Sequence, residues 1–255
     1  IRAKRLRGTF SMGLLVSAEG LDPDGDVAAQ LGLTKWEPEE KIELGDNIPG
    51  PKGGVPVYTD IEGLRHYPST LEAGELVVVT EKIHGANLRA FVDDAGVFWI
   101  GSHRSWKDPD GNSIWAKAAR ECGLAERLKA FPGMMVCGEA YGQVQDLKYG
   151  VKSGSRIVVF DVLNLRSGAY FDWCEVVAYA KALELLHVPV LHLGPWDPAQ
   201  VAGWAEGKSL MPGADNVREG FVAKPICERL ADFGGQPGRA IVKRHGEGYL
   251  TRKGG

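Results

Sequence analysis

Cysteine is scarce in this chain, and the four residues present, Cys122, Cys137, Cys174 and Cys227, lie far apart with no CxxC pair. That argues against a disulfide framework and against a zinc ribbon. It points instead to reduced, mostly buried thiols in a cytoplasmic protein. No apolar run approaches the ~20 residues needed to span a bilayer, and no segment has the build of a signal peptide. Repeats and low-complexity tracts are missing as well. Net charge is small, formally −3 at pH 7, which alone does not mark a nucleic-acid binder.

What is there fits an ordinary globular protein: 255 residues, 44% hydrophobic and 25% charged. The length suits one sizeable domain, with or without a smaller appendage. The first residue is Ile1 and not Met, so a fragment or a processed product is expected. Charge is unevenly placed. Arg2, Lys4, Arg5 and Arg7 open the chain without an acid, and Arg239, Lys243, Arg244, Arg252 and Lys253 stand near its end against Glu247 alone. Brought together, two basic ends on an acidic body would make a phosphate-binding surface; apart, they are solvated tails.

The pattern reads as strands with interspersed helices. A strand is expected over Thr9 to Val16, a short helix over Asp26 to Leu31 and loop from Gly45 to Gly54. Strands follow at about 75–82, 87–93 and 97–101, the last two joined by a turn at Asp93-Asp94-Ala95-Gly96. One helix is expected from Ser113 to Lys129. Strands come next at Met134–Tyr141 and Arg156–Leu163. Asp172 is placed to cap a helix reaching His187, with Val176, Ala180, Leu183 and Leu186 on one face. A last helix near Ala199–Glu206 precedes strands at 219–224 and 240–245. Strands and helices do not alternate strictly, so the fold class is α+β and not a doubly wound parallel sheet.

The chemistry centres on Thr80-Glu81-Lys82-Ile83-His84-Gly85-Ala86-Asn87, directly after the apolar strand Leu76-Val77-Val78-Val79. A KxxG tetrad alone is weak, arising about once by chance in a chain of this size. Lys243-Arg244-His245-Gly246 is indeed a second one. Position separates them: Lys82 lies between two strands, and further segments of the right type follow it in order.

That ordered set resembles the ATP-dependent RNA ligases of the covalent nucleotidyltransferase superfamily, which also holds DNA ligases and mRNA capping enzymes. The family's first motif is matched by Lys82-Ile83-His84-Gly85-Ala86-Asn87, in the KIHGxN form typical of RNA ligases. The next is matched by Gly101-Ser102-His103-Arg104, the third by Cys137-Gly138-Glu139-Ala140-Tyr141-Gly142 and its companion by Val159-Phe160-Asp161-Val162. The fourth is matched by Arg218-Glu219-Gly220-Phe221-Val222-Ala223-Lys224 and the fifth by Ile241-Val242-Lys243. The likeness covers about residues 75–250. One departure stands out: the fifth motif usually offers two lysines as KxK, and here His245 holds the second place with Arg244 between, so either could supply the second charge.

The resemblance implies a nucleotidyltransferase fold, mostly antiparallel sheets around a nucleotide cleft, with Lys82 taking AMP from ATP. A lysine attacks phosphorus only as the free amine, a form held by about one in a few thousand at pH 7 for an ordinary pKa of ~10.4. Partial burial and a nearby cation are expected to lower it. Lys224 and Lys243 would converge on the α-phosphate and offset charge in the transition state. Glu81, Ile83, Gly85, Asn87, Arg104, Glu139, Phe160 and Glu219 would bind the nucleotide. In that set Glu139 reaches the ribose, Arg104 forks onto ribose or phosphate oxygens, and Phe160 stacks on adenine. Glu219 would hold Mg²⁺, or Mn²⁺, through water, with Glu139 as a second candidate. Each of these residues also has a plain reading as a strand-end or core side chain, and the ordered set favours the other.

The implied partners are RNA ends or a nicked duplex, with no membrane, in a cytoplasmic monomer engaged in RNA repair. Residues 1–35 are expected to be the joint after a missing N-terminal OB module, since Arg5 to Leu15 look like that joint in one RNA ligase branch; residues 36–255 would be the adenylation domain. A GTP-dependent capping-type guanylyltransferase and a non-catalytic nucleic-acid-binding relative stay open as alternatives. Gly203-Trp204-Ala205-Glu206-Gly207-Lys208-Ser209 imitates a P-loop but has three residues between its glycines where four are needed. His187 and His192 lack a carboxylate or cysteine at ligand spacing and are read as structural.

Overall fold

A computed structural model describes residues 46–52 and 54–252, together with 5, 6, 9, 10, 20, 22, 30 and 31. The chain divides into two units, Ile1–Leu44 and Gly45–Gly255. In the first, strands β1 (Arg5–Leu6) and β2 (Thr9–Phe10) pair antiparallel. The rest of the strand expected to Val16, and most of the helix expected over Asp26 to Leu31, lie outside the described residues.

The second unit is built on two sheets. The larger has the order β11-β10-β9-β6-β7-β8-β3, formed by Ala169–Tyr170, Ser155–Asn164, Met134–Gly142, Ala86–Val92, Phe98–Gly101, Trp106–Lys107 and Asn47–Ile48 in that order. The short β12 (Leu186–His187) pairs parallel with β10. The smaller sheet has the order β13-β5-β14-β17-β4, formed by Val190–Pro195, Leu76–Lys82, Gly220–Pro225, Val242–His245 and Glu62–Gly63. A hairpin of β15 (Leu230–Asp232) and β16 (Pro237–Arg239) stands beside them. Pairing is mostly antiparallel, and the architecture is mixed α+β.

Alternation along β5 explains the layering. Val77 and Val79 face a core with Trp196, Trp204, Phe221, Ala223 and Val242, while Val78 faces the main core shared with β6, β9 and β10. With apolar residues on both faces, β5 is a central strand. The chain then leaves the smaller sheet and enters the larger within Ile83–Gly85, so the first motif is the crossing between the two sheets.

Helices cover the larger sheet. The single helix expected from Ser113 to Lys129 is two, α1 (Ile114–Glu121) and α2 (Leu124–Leu128), broken where Gly123 adopts a left-handed φ of 62°. The Ser113 side chain accepts from the Ala116 N–H and caps the first of them. Asp172 and Glu175 form a capping box at the start of α3 (Trp173–Ala182). That helix stops short of His187: the Leu185 N–H turns back to the Ala180 carbonyl at 2.9 Å, Glu184 takes a φ of 51°, and the chain becomes β12. The helical spacing of Leu183 and Leu186 is therefore misleading. Short helices α4 (Val201–Ala205), preceded by a turn of 3-10 helix at Pro198–Gln200, and α5 (Glu247–Thr251) complete the unit. Within the segment read as loop, Asn47–Ile48 forms β3 against Trp106–Lys107. Among the described residues no helix is long and apolar enough to cross a membrane.

Candidate active site

The smaller sheet sets side chains into rows. Gly220 pairs with Lys82 on one side and His245 on the other; Val222 pairs with Thr80 and Lys243; Lys224 pairs with Val78. Directly opposed residues share a face, so Lys82, Thr80, Val222, Lys243, Lys224 and His245 all project to one side. Phe221, Glu81 and Arg244 fall on the other. This separates the two residues that could provide a second charge in the fifth motif: His245 is on the face of Lys82, and Arg244 is exposed on the opposite one. Gly220 keeps the row open, since a Cβ there would sit 2.0 Å from the Arg244 carbonyl oxygen.

A cavity of about 230 Å³ lies in front of this face. Lys82, Lys224 and Lys243 line it from the smaller sheet, Asn87, Glu139, Phe160 and Asp161 from the larger, and Ile83 lies at the crossing. Gly85 closes the crossing tightly. Its N–H donates to Glu139 Oε1 at 3.1 Å, and a Cβ would meet the Ala140 carbonyl oxygen at 2.1 Å.

Lys82 Nζ donates to Glu219 Oε1 at 2.8 Å. Burial works to lower the Lys82 pKa, but the charges of Glu219 and Glu139 outweigh it and raise the pKa above the ordinary lysine value. The lowering expected from the sequence is thus reversed in the protein by itself. For Glu219, burial pushes upward, while Lys82 and the contact from His245 Nε2 at 3.5 Å hold the carboxyl below its usual range. For Glu139, burial wins over the pull of Lys82, and its pKa is pushed up to about 8.

Among the described residues, the buried oxygens that lack a hydrogen-bond partner include Glu81 Oε1, Asn87 Oδ1 and Glu219 Oε2. Such atoms are uncommon in a folded interior, and in a cleft they mark places for a ligand, ion or water. Asn87 is such a place on the cavity wall, and Glu219 is one beside it, bonded to the lining Lys82. The Glu81 carboxylate points away from it, taking the Leu210 N–H at 2.7 Å. Among the described residues no cluster of three or more His, Cys, Asp and Glu could cage a metal by itself. A hard cation that keeps several waters and shares phosphate oxygens needs only one or two carboxylates, and Glu219 and Glu139 fit that demand.

Lys224 and Phe160 lie on the cavity wall, with partners that the sequence does not disclose. Lys224 Nζ bonds Asp161 and, at 2.8 Å, Glu228; Arg239 bonds Asp161 at 2.7 and 2.8 Å and Glu228 at 2.6 Å; and the Tyr58 hydroxyl donates to Asp161 at 2.6 Å. Phe160 packs edge-on to Tyr58, with ring centroids 5.1 Å apart. Arg104 is exposed beyond His103, at the rim, and is not brought to the cavity wall.

Two residues after Lys82, His84 is held by residues that sequence reasoning missed. Its Nε2 meets Asp146 Oδ1 at 2.7 Å, its Nδ1 meets the Tyr249 hydroxyl at 3.0 Å, and its backbone N–H donates to Tyr149 at 2.6 Å. Arg252 joins Asp146 at 3.1 Å and lies over the Tyr249 ring, which stacks on His245. None of these partners sits in a motif, so no local pattern reveals them. His187 and His192 bond the backbone oxygens of Val188 and Pro195 and pack on Trp173 and Trp204.

The family model described as RNA ligase matches residues 75–245. Among solved structures, the chain is similar to Naegleria gruberi RNA ligase with PPi, at 25% identity and a TM-score of 0.75, over 98% of this chain and 75% of that one. An arginine-to-alanine mutant of the same ligase with ATP and Mn gives the same figures. A lysine-to-methionine mutant with AMP and Mn matches at 25% identity and a TM-score of 0.74, with the same coverage. No curated protein matches the chain.

Proposed function

The chain belongs to the RNA ligase family and has its nucleotidyltransferase fold, and from that premise we propose an ATP-dependent enzyme that joins RNA 3′-hydroxyl and 5′-phosphate ends through AMP bound to Lys82. The observation that carries this reading is the row geometry: Lys82, Lys243 and His245 share one face, and Lys82 and Lys243 line one cavity opposite Asn87, Glu139 and Phe160. The solved Naegleria enzyme is described with ATP, AMP, Mn and PPi, and the reaction proposed here uses the first and releases the last.

In the first step the Lys82 amine attacks the α-phosphorus of ATP. The new N–P bond forms as the bond to pyrophosphate breaks, and the amine proton passes toward Glu219, its hydrogen-bond partner. In the second step a 5′-phosphate oxygen of RNA displaces Lys82 and carries AMP away. In the third a 3′-hydroxyl attacks that phosphate, AMP leaves with the bridging oxygen, and the strand is joined. Lys243 offers its charge to the α-phosphate, and Phe160 a face to adenine. Lys224, already balanced by Asp161 and Glu228, chiefly fixes the wall behind the phosphate. Glu219 and Glu139 would hold Mg²⁺ or Mn²⁺ through water, and a bound divalent cation supplies charge that loosens the carboxylates' grip on the Lys82 proton and offsets charge on phosphate oxygens. We place the enzyme in the cytoplasm, as a monomer that repairs broken RNA.

The test is label transfer from α-³²P-ATP compared with α-³²P-GTP, followed by a chase with 5′-phosphorylated RNA. The expected result is an acid-labile protein label from ATP, which moves to RNA and is released as strands join. Label from GTP would favour a capping enzyme instead.

A further inference from the structure

Ahead of the residues matched by the family model runs a strap, Val55 to Ile61, with no regular secondary structure. It is nonetheless fastened at several points. Arg89 Nη1 donates to the Pro56 carbonyl at 3.0 Å, Tyr58 donates to buried Asp161, and Tyr170 hydrogen-bonds Thr59. Val55, Tyr58 and Ile61, three residues apart, pack on the small core of Phe91, Trp106, Met135 and Leu163. The strap is therefore a fixed wall of the larger sheet, and Tyr58 through Ile61 line the nucleotide cavity in sequence.

Two of its residues bear on recognition. Tyr58 sets its ring edge-on to Phe160, which fixes the plane offered to a base. Asp60 differs from its neighbours: it is 72% exposed at the cavity edge, and the imidazole nearest to it is His103, whose Nε2 stands at 3.7 Å, beyond hydrogen-bond length. An ionised carboxylate accepts hydrogen bonds only. Next to an aromatic platform, an acceptor of that kind matches the donor pair that a ribose presents in its vicinal hydroxyls.

We propose that the strap is the nucleoside-reading element of this cleft and that Asp60 accepts a hydrogen bond from a ribose hydroxyl of the bound nucleotide. The inference rests on the ATP-dependent reading above. It adds a residue that lies outside every matched motif and a discrimination between ribo- and deoxynucleotides.

The test compares wild type with Asp60→Ala and Asp60→Asn, using ATP, 2′-deoxy-ATP and 3′-deoxy-ATP, both in equilibrium binding and in Lys82 adenylylation. A hydrogen bond to a charged acceptor is worth enough that its loss weakens ATP binding by about tenfold or more. The expected result is that loss in Asp60→Ala, with KM raised and kcat within about twofold. For whichever deoxynucleotide lacks the contacted hydroxyl, the variant and wild type bind alike, and Asp60→Asn recovers most of the ATP affinity. Equal weakening for all three nucleotides, or none, overturns the proposal. Binding scores the strap even if no adenylylation occurs, so wild type that discriminates among the three without labelling would overturn the ligase mechanism and not this inference. Failure to bind any of them overturns both.

Discussion

Single residues carry the tightest constraints. Gly85 holds the crossing between sheets because the Ala140 carbonyl stands where a Cβ would go. Gly85→Ala is expected to cost at least about 2 kcal/mol in urea unfolding and to abolish protein labelling. Glu139 brings a pH dependence. Its pKa is pushed up by burial to about 8, so between about pH 4.5 and 8 the folded protein holds a proton that the unfolded chain releases, and stability falls as pH rises through that window. Glu139→Gln removes this term, and its melting temperature should decline less than that of wild type from pH 5 to 8; parallel declines would refute the shift. Lys82 shows where residue-level reading from sequence ends. Its place after an apolar strand is legible, but the two acidic residues that raise its pKa come from β9 and from just ahead of β14, more than fifty residues away.

At the scale of elements, alternation decides which charges act together. In β17 the spacing puts Lys243 and His245 beside Lys82 and turns Arg244 outward. His245→Ala is accordingly expected to lower the rate of Lys82 adenylylation by about tenfold, while Arg244→Ala leaves it within twofold; the reverse order, read from the same labelling assay, would place the strand in the wrong register. Strands with β-branched runs and the Asp93–Gly96 turn were legible because their signals are local, and Asp93 takes the Ala95 and Val97 N–H groups itself. Helix C-termini were not. Gly123 splits one helix, and β12 captures Leu186 and His187 by pairing with β10, a tertiary contact that periodicity does not record. The motifs were legible as an ordered series. The strap and α5 were not, since they reach the site by packing and not by pattern.

For the whole molecule, the joint between the two sheets is both the cleft and a buried ionic cluster. Burial pushes the Asp161 carboxyl up, but Arg239 and Lys224 hold it well below the usual range, so its stabilising contribution persists until strongly acidic pH. Asp161→Ala would leave two cations buried with only Glu228 between them, and a loss of about 3–5 kcal/mol in denaturant unfolding is expected. A loss under 1 kcal/mol would mean that the cluster does not tie the sheets. The proposed chemistry depends on one covalent bond at that joint. Incubation with ATP and Mg²⁺, followed by intact-mass measurement and peptide mapping, tests it directly. The expected result is the added mass of one adenylyl group, placed on Lys82 and absent from Lys82→Ala. An adduct retained by Lys82→Ala, or mapped to another lysine, would contradict it.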